Sequence, residues 1–320
     1  MNCQTVCSCN GYPGNTAVGC IQDMGVGLRP WITQMNGADG TPNYIDLTTP
    51  LTDTLIKGFI NNTDPTKRFY PYPEIKDIED VRDKVVTEAA KDQVEYFVRY
   101  GLRKFTGTYF SDYACPALDG LINNLRCSNT LGAFWVDLNG TIWGNLSSDG
   151  TKLYPVRIDP QSVSSTFVKP TNTTVTKLIW MFNYHPTQKD CTLAGLPTTS
   201  MASGVDPLSY NGLFNIFLIA VSAVHTDTIV VKLNDGWGNI TAPEHVTGFG
   251  GANKTYWDVY DITTSTDLST PTTVVENVNI PGEYTITTSA NFALGDNLKI
   301  TITAPGYDGT AASQVVLIAT

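Results

Sequence analysis

The chain has 320 residues, 42% hydrophobic and 16% charged, with 20 Lys plus Arg against 30 Asp plus Glu and a formal net charge of −10. The apolar fraction is too high for a disordered chain, the charged fraction too low for a coiled coil, and the acidic balance runs against nucleic-acid binding. A single core stops growing near about 250–300 residues, so two domains are expected.

The opening Met1–Cys7 lacks a basic stretch followed by an apolar core, so it does not read as a signal peptide. Four of the seven cysteines crowd this end as C-x3-C-x-C-x10-C. Structural zinc sites prefer paired C-x2–4-C hooks, so Cys3, Cys7, Cys9 and Cys20 are weak candidates for metal ligands. The plainer reading is a few small buried thiols. Residues 1–72 are rich in Gly, Pro, Asn and Asp and give few regular signals beyond Asp53 to Ile60. They read as an extended arm that its own core or a neighbouring subunit must hold down.

Further along, Ile75, Ile78, Val81, Val85 and Ala89 recur at three- and four-residue steps, which predicts a helix. From Val94 through Tyr96, Val98, Tyr100 and Leu102 the period becomes two, which predicts a strand ending at Gly107. Pro116 to Arg126 predicts a short helix with Leu118, Leu121 and Leu125 on one face. Phe134–Val136 and Ile142–Trp143 flank Asn139-Gly140, the strongest short hairpin signal. Strands are also expected at Leu153–Ile158 and from Val175 to Tyr184. The small polar residues Thr198–Gly204 read as a linker.

Charge divides the chain near that point. Residues 1–205 carry 17 basic and 19 acidic residues, whereas 206–320 carry three basic and eleven acidic. The second part reads as consecutive strands: Thr228–Leu233 up to a turn at Asp235-Gly236, then Trp257–Ile262, Thr273–Val275, Glu283–Thr287, Asn297–Thr303 and Gln314–Ile318. β-Branched segments spaced by Gly and Pro turns predict a sandwich, with Leu298, Ile300 and Ile302 on its inner face. The expected fold is mainly β with minor α: a β-rich body over 1–205 and an Ig-like β-sandwich over 206–320. The longest apolar run, Leu213 to Val224, is shorter than the about 18–20 residues of a membrane span.

No catalytic motif emerges. His185, His225 and His245 lack helical metal spacing, and Cys191 near His185 has no orienting third group. Thr247–Gly251 completes neither a P-loop nor a dinucleotide fingerprint. Asp137–Gly140 and Ser147–Gly150 read as turn chemistry rather than calcium loops. Distant carboxylate pairs leave a hydrolase with an accessory Ig-like domain as an alternative. Trp135, Trp143 and Trp180 offer a sugar-stacking platform or, more commonly, core and interface aromatics.

What survives suits assembly, because interface cores are enriched in Tyr, Trp and Phe and depleted of Lys, Glu and Asp. The candidate interface residues are Tyr96, Phe97, Tyr100, Trp135 and Trp143. Tyr96–Phe105, Pro116–Leu118 and Phe134–Gly140 resemble segments of structural proteins of tailed bacteriophages that infect Bacteroidetes, which commonly append Ig-like domains. The resemblance covers roughly Tyr96 to Phe182 and implies no catalytic residues. It implies a non-enzymatic virion subunit, in the tail tube or as a head auxiliary or decoration protein, made in the host cytoplasm. Such a subunit would self-assemble through its N-terminal domain and project the acidic Ig-like one. No cofactor is expected. Expected partners are copies of itself and other virion proteins, without sequence-specific nucleic acid or a membrane span. Host-surface glycans are candidate ligands of the C-terminal domain, and a carbohydrate-binding adhesin module is the other alternative.

Overall fold

The structure is a computed structural model and describes residues 28–89, 95–111, 113–225, 227–239, 242–293, 295–308 and 314–317. The chain divides into two compact units, one ending at Gly212 and the other starting at Leu213. Both are built mostly of β-strands, with few helices. The segment Thr198–Gly204, read as a linker, belongs to the first unit. Its Met201 is buried and bridges Leu51. The four N-terminal cysteines lie outside the described residues.

Two sheets form the body of the first unit. The larger runs in the order β2 (Ile45–Asp46), β10 (Lys152–Tyr154), β9 (Ile142–Leu146), β8 (Leu131–Asp137), β1 (Leu28–Thr33) and β3 (Tyr70–Pro71). β11 (Val156–Ile158) also pairs with β8, and β14 (Leu193–Leu196) with β9. The smaller runs β12 (Ser164–Val168), β13 (Lys177–Asn183), β7 (Arg103–Phe110), β4 (Lys76–Arg82). Both sheets contribute to one buried cluster, in which Phe105 and Phe182 stack at 4.7 Å with Trp135 4.9 Å from Phe105.

The irregular arm expected over 1–72 is therefore body from Leu28 onward. β1 lies inside the larger sheet with Trp31 fully buried. Pro30 disguises this strand in the sequence, because proline cannot donate to a ladder. Here it pairs opposite Trp135, and its carbonyl accepts from the Tyr72 N–H at 2.8 Å. Two helices close the unit. In α1 (Asp53–Ile60) the Thr52 hydroxyl caps the Leu55 N–H, and Ile56 and Ile60 face inward. In α2 (Pro116–Asn124) proline opens the first turn, and a one-turn 3-10 extension runs to Cys127. Its buried stripe is Leu118 and Ile122; Leu121, expected inside, is exposed.

The predicted helix from Ile75 to Ala89 does not form. Those residues make β4 and, beyond it, β5 (Val86–Ala89). The three-residue step from Ile75 to Ile78 spans a bulge, whereas Val81 and Val85 further on are exposed. Lys76 pairs with Thr108 but Glu79 with Thr106, and Asp77 takes a positive φ of 47°. An extra residue in one strand breaks the two-residue period and imitates a helical one. The predicted strand ending at Gly107 is two: β6 (Glu95–Arg99) and β7.

The second unit is a sandwich of two sheets around one core. One sheet runs β16 (Phe217–His225), β17 (Thr228–Asn239), β22 (Glu283–Thr287), β21 (Thr273–Glu276), with β18 (Ala242–His245) on β17. The other runs β20 (Thr266–Ser269), β19 (Trp257–Asp261), β23 (Asn297–Ile302), β25 (Gln314–Leu317). Lettered in chain order, these are A-B-E-D and C′-C-F-G, the immunoglobulin arrangement. A short parallel pair, β15 (Phe214–Asn215) with β24 (Tyr307–Asp308), completes the unit. Leu298, Ile300 and Ile302 all point inward, as their alternation predicts. Trp257 is buried at the start of strand C and donates to the Phe249 carbonyl at 2.9 Å. The expected turn at Asp235-Gly236 is absent, because β17 runs through it to Asn239.

Burial also sets the alkaline behaviour of the chain. It pushes the phenols of Tyr72, Tyr109, Tyr184 and Tyr284 well above their ordinary value. Tyr210 is pushed up to about 12 by burial and by the hydrogen bond it donates to Asp53. A phenol whose pKa is raised on folding adds stability that is whole below its unfolded value of about 10 and is lost as pH rises through the folded value. The melting temperature is therefore expected to hold to about pH 10 and to fall above it. Absorbance at the tyrosinate band during melting checks this, since buried phenols should ionise only with unfolding.

Candidate functional site

Where β4 and β7 leave the body they do not end. The Asp83 N–H donates to the Leu102 carbonyl at 2.8 Å, and the ladder resumes with Val86 opposite Arg99. Thr87 then faces Phe97, Glu88 faces Tyr96 and Ala89 faces Glu95. β5 and β6 thus form a two-stranded ribbon that extends the smaller sheet. Every described residue of both strands is exposed. Among them and their neighbours are Val81, Val85, Val86, Val98 and Leu102, with Tyr96 at 56%, Phe97 at 57% and Tyr100 at 67% exposure. A two-stranded ribbon is marginal in water, and so many exposed apolar side chains make it the candidate site.

Specific contacts hold its base. Arg103 forms ion pairs with Asp80, at 2.5 Å, and with Asp190 from the loop before β14. Asp190 also takes Arg82 at 2.8 Å, and Lys104 meets Asp83 at 2.9 Å. The Arg103 guanidinium lies 4.7 Å from the Tyr184 ring centre, and that of Arg82 lies 5.6 Å from Tyr100. Burial works against the Arg103 charge, but Asp80, Tyr184 and Asp190 outweigh it and raise its pKa. Gly101 lets the strands close, because a Cβ there would run into the Asp83 carbonyl.

The register assigns the two faces. Directly opposite residues share a face, so Val86, Glu88, Tyr96 and Arg99 lie on one and Thr87, Ala89, Glu95 and Phe97 on the other. Val98 is the extra residue of a bulge. That bulge carries Tyr100 round to the Phe97 side, where the two rings meet edge to face at 4.9 Å.

Of the residues singled out in the sequence, Tyr96, Phe97 and Tyr100 therefore come together on this ribbon. Trp135 and Trp143 do not. At 2% and 6% exposure they belong to the core, because both alternate toward the inside of the aromatic cluster. Trp180 is buried beside them, so these three form no sugar platform. The Trp143 indole instead donates to the buried Asp137 carboxylate at 2.9 Å. That carboxylate also accepts from the Asn139 and Thr141 amides, with Gly140 at a φ of 75°. Asp149 orders the next turn in the same way, its pKa lowered to about 2 by hydrogen bonds from Ser147 and Thr151.

The remaining candidates are dispersed. His185 shares a hydrogen bond with the Thr187 hydroxyl, and burial followed by the Arg157 charge lowers its pKa. His225 ends β16 and His245 ends β18. Cys115 and Cys127 are free and exposed. Among the described residues, no group of three or more His, Cys, Asp or Glu is placed to hold a metal. No helix among them is long and apolar enough to cross a membrane. Sequence reasoning overlooked Asp80, Arg103 and Asp190, whose separation hides the clamp. No known protein family and no curated protein matches the chain.

Replacing Arg103 with alanine is expected to loosen the ribbon by about 1–2 kcal/mol, the value of charge-assisted bonds discounted for partial exposure. Hydrogen exchange checks it: amides of β5 and β6 should exchange about tenfold faster while those around Phe105 stay protected. Arg103→Lys should restore only part, since a single ammonium cannot fork across two carboxylates.

Proposed function

We propose that the chain is a non-enzymatic structural subunit of a tailed-phage particle, serving in the tail tube or as a head auxiliary or decoration protein. It self-assembles through its first unit and carries the acidic Ig-like unit as a solvated appendage. The observation that carries this reading is the ribbon: an ordered, aromatic-rich extension of a core sheet with no covering layer of its own among the described residues. An enzyme has no need to leave so much apolar surface in water. A repeating subunit does, because a neighbour covers it. Charge supports the same division of labour. Residues 76–110 hold seven basic and seven acidic residues and so attract or repel nothing at long range, whereas the last 115 residues hold most of the net −10. The resemblance over Tyr96 to Phe182 adds the phage assignment.

Light scattering of the full chain should give a discrete multi-copy species, and electron microscopy rings, tubes or shells. Replacing Tyr96 and Phe97, one on each face of the ribbon, together with aspartate should leave a folded monomer, with unchanged circular dichroism. Deleting residues 1–27 tests the arm separately, whereas a cut at residue 40 would remove β1 and unfold the body. A wild-type chain that stays monomeric at high micromolar concentration would falsify the proposal.

A further inference from the structure

We infer that the ribbon docks reciprocally on the ribbon of a second copy of this chain, through the face that carries Val86, Glu88, Tyr96 and Arg99. The inference deepens the self-assembly reading and rests on it. Its basis is the placement of charge on that face. Glu88 and Tyr96 are directly opposite each other, as are Val86 and Arg99. From Glu88 to Val86 is two residues, about 7 Å along the strand. The distal row therefore ends in an anion and the proximal row in a cation.

Arg99 has no carboxylate partner among the described residues, unlike Arg82, Arg103 and Lys104 at the base, whose carboxylates come from within the chain. The opposite face lacks this arrangement. Its cation, Arg82, already holds Asp190 and covers Tyr100. Turning a second copy end for end, about an axis across the ribbon, places its distal row over the proximal row of the first. Tyr96 of each copy then covers Arg99 of the other, with Glu88 beside the same guanidinium. One symmetric contact supplies an ion pair, a cation–π contact and apolar cover from Val86, all twice over. A partner unrelated to this chain would need both charges at the same spacing and reversed order, which a second copy has by construction.

The test is a charge exchange followed by sedimentation velocity on the full chain. Glu88→Lys sets an ammonium against the Arg99 guanidinium at both ends of the contact, and Arg99→Glu sets a second carboxylate against Glu88. Each alone should weaken association about tenfold or more. Mixed in equal amounts, the two variants face each other with opposite charges at every position, and association should return to within about threefold of wild type. Recovery on mixing also shows that each variant is folded. If the wild type assembles but neither variant weakens it, or mixing fails to restore it, the reciprocal pairing is wrong while self-assembly stands. That result would point to the Phe97 face or to another virion protein as what the ribbon meets. A wild type that does not associate at all removes both.

Discussion

The stack of Phe105 on Phe182, with the Trp135 ring tilted against Phe105, decides where the rest of the first unit can go. It seats β7 between β13 and β4 and turns one face of that strand toward the larger sheet. Burying a phenyl ring this fully contributes about 1.5–3 kcal/mol, and emptying its place costs about 3–5. Once Phe105 is seated, the direction and register of everything N-terminal to it on the same ladder follow. Arg103 comes two residues earlier on the same face, at the edge of the core. There it is half-covered, and two carboxylates and a tyrosine ring satisfy it. Beyond it the same ladder carries Tyr100 and Phe97 clear of the body. Burial thus gives way to ionic contacts and then to bare aromatic surface along one ribbon.

That gradient explains how a segment with so many exposed apolar side chains stays extended. Two strands alone do not bury enough surface to offset the entropy of ordering them. This ribbon borrows order from the sheet it continues, through the ladder, through the clamp at Arg103 and through the close approach that Gly101 permits. What the arrangement leaves unburied is available free energy for association, already held in one conformation. Preorganisation of this kind lowers the entropic cost of docking.

The second unit solves the opposite problem. Its alternating strands place Leu298, Ile300 and Ile302 inside and turn the intervening Lys299 outward, so the apolar surface of β23 is spent within the sandwich. No cysteine follows Cys191, so no disulfide within the Ig-like unit holds its core. Trp257 and Tyr284 take the central place, their rings 5.3 Å apart. The Tyr284 hydroxyl donates to the Val246 carbonyl at 2.8 Å, and the Trp257 indole donates to Phe249. A unit closed in this way and rich in carboxylates presents a well-hydrated surface.

Most of the strands were legible in the sequence, because a strand with one wet face must alternate. β19, β22 and β23 announce themselves by that period, and the 134–144 hairpin, whose β8 is buried throughout, by its Asn-Gly turn. Tyr96, Phe97 and Tyr100 also stand out in an alternating stretch where aromatics are conspicuous, and all three are exposed. The charge division is legible too, because it depends on counting and not on folding. Three features emerged only in the folded chain. Folding turned the helical spacing of Ile75 to Ala89 into strands, because pairing with β7 and β6 overrides a local period that a bulge near Asp77 had already disturbed. It sent Trp135 and Trp143 inward while leaving Phe97 and Tyr100 in water, since the burial of an aromatic strand depends on what packs over it. And it brought Asp190 to Arg103, 87 residues away, because a clamp made of distant side chains has no local signature.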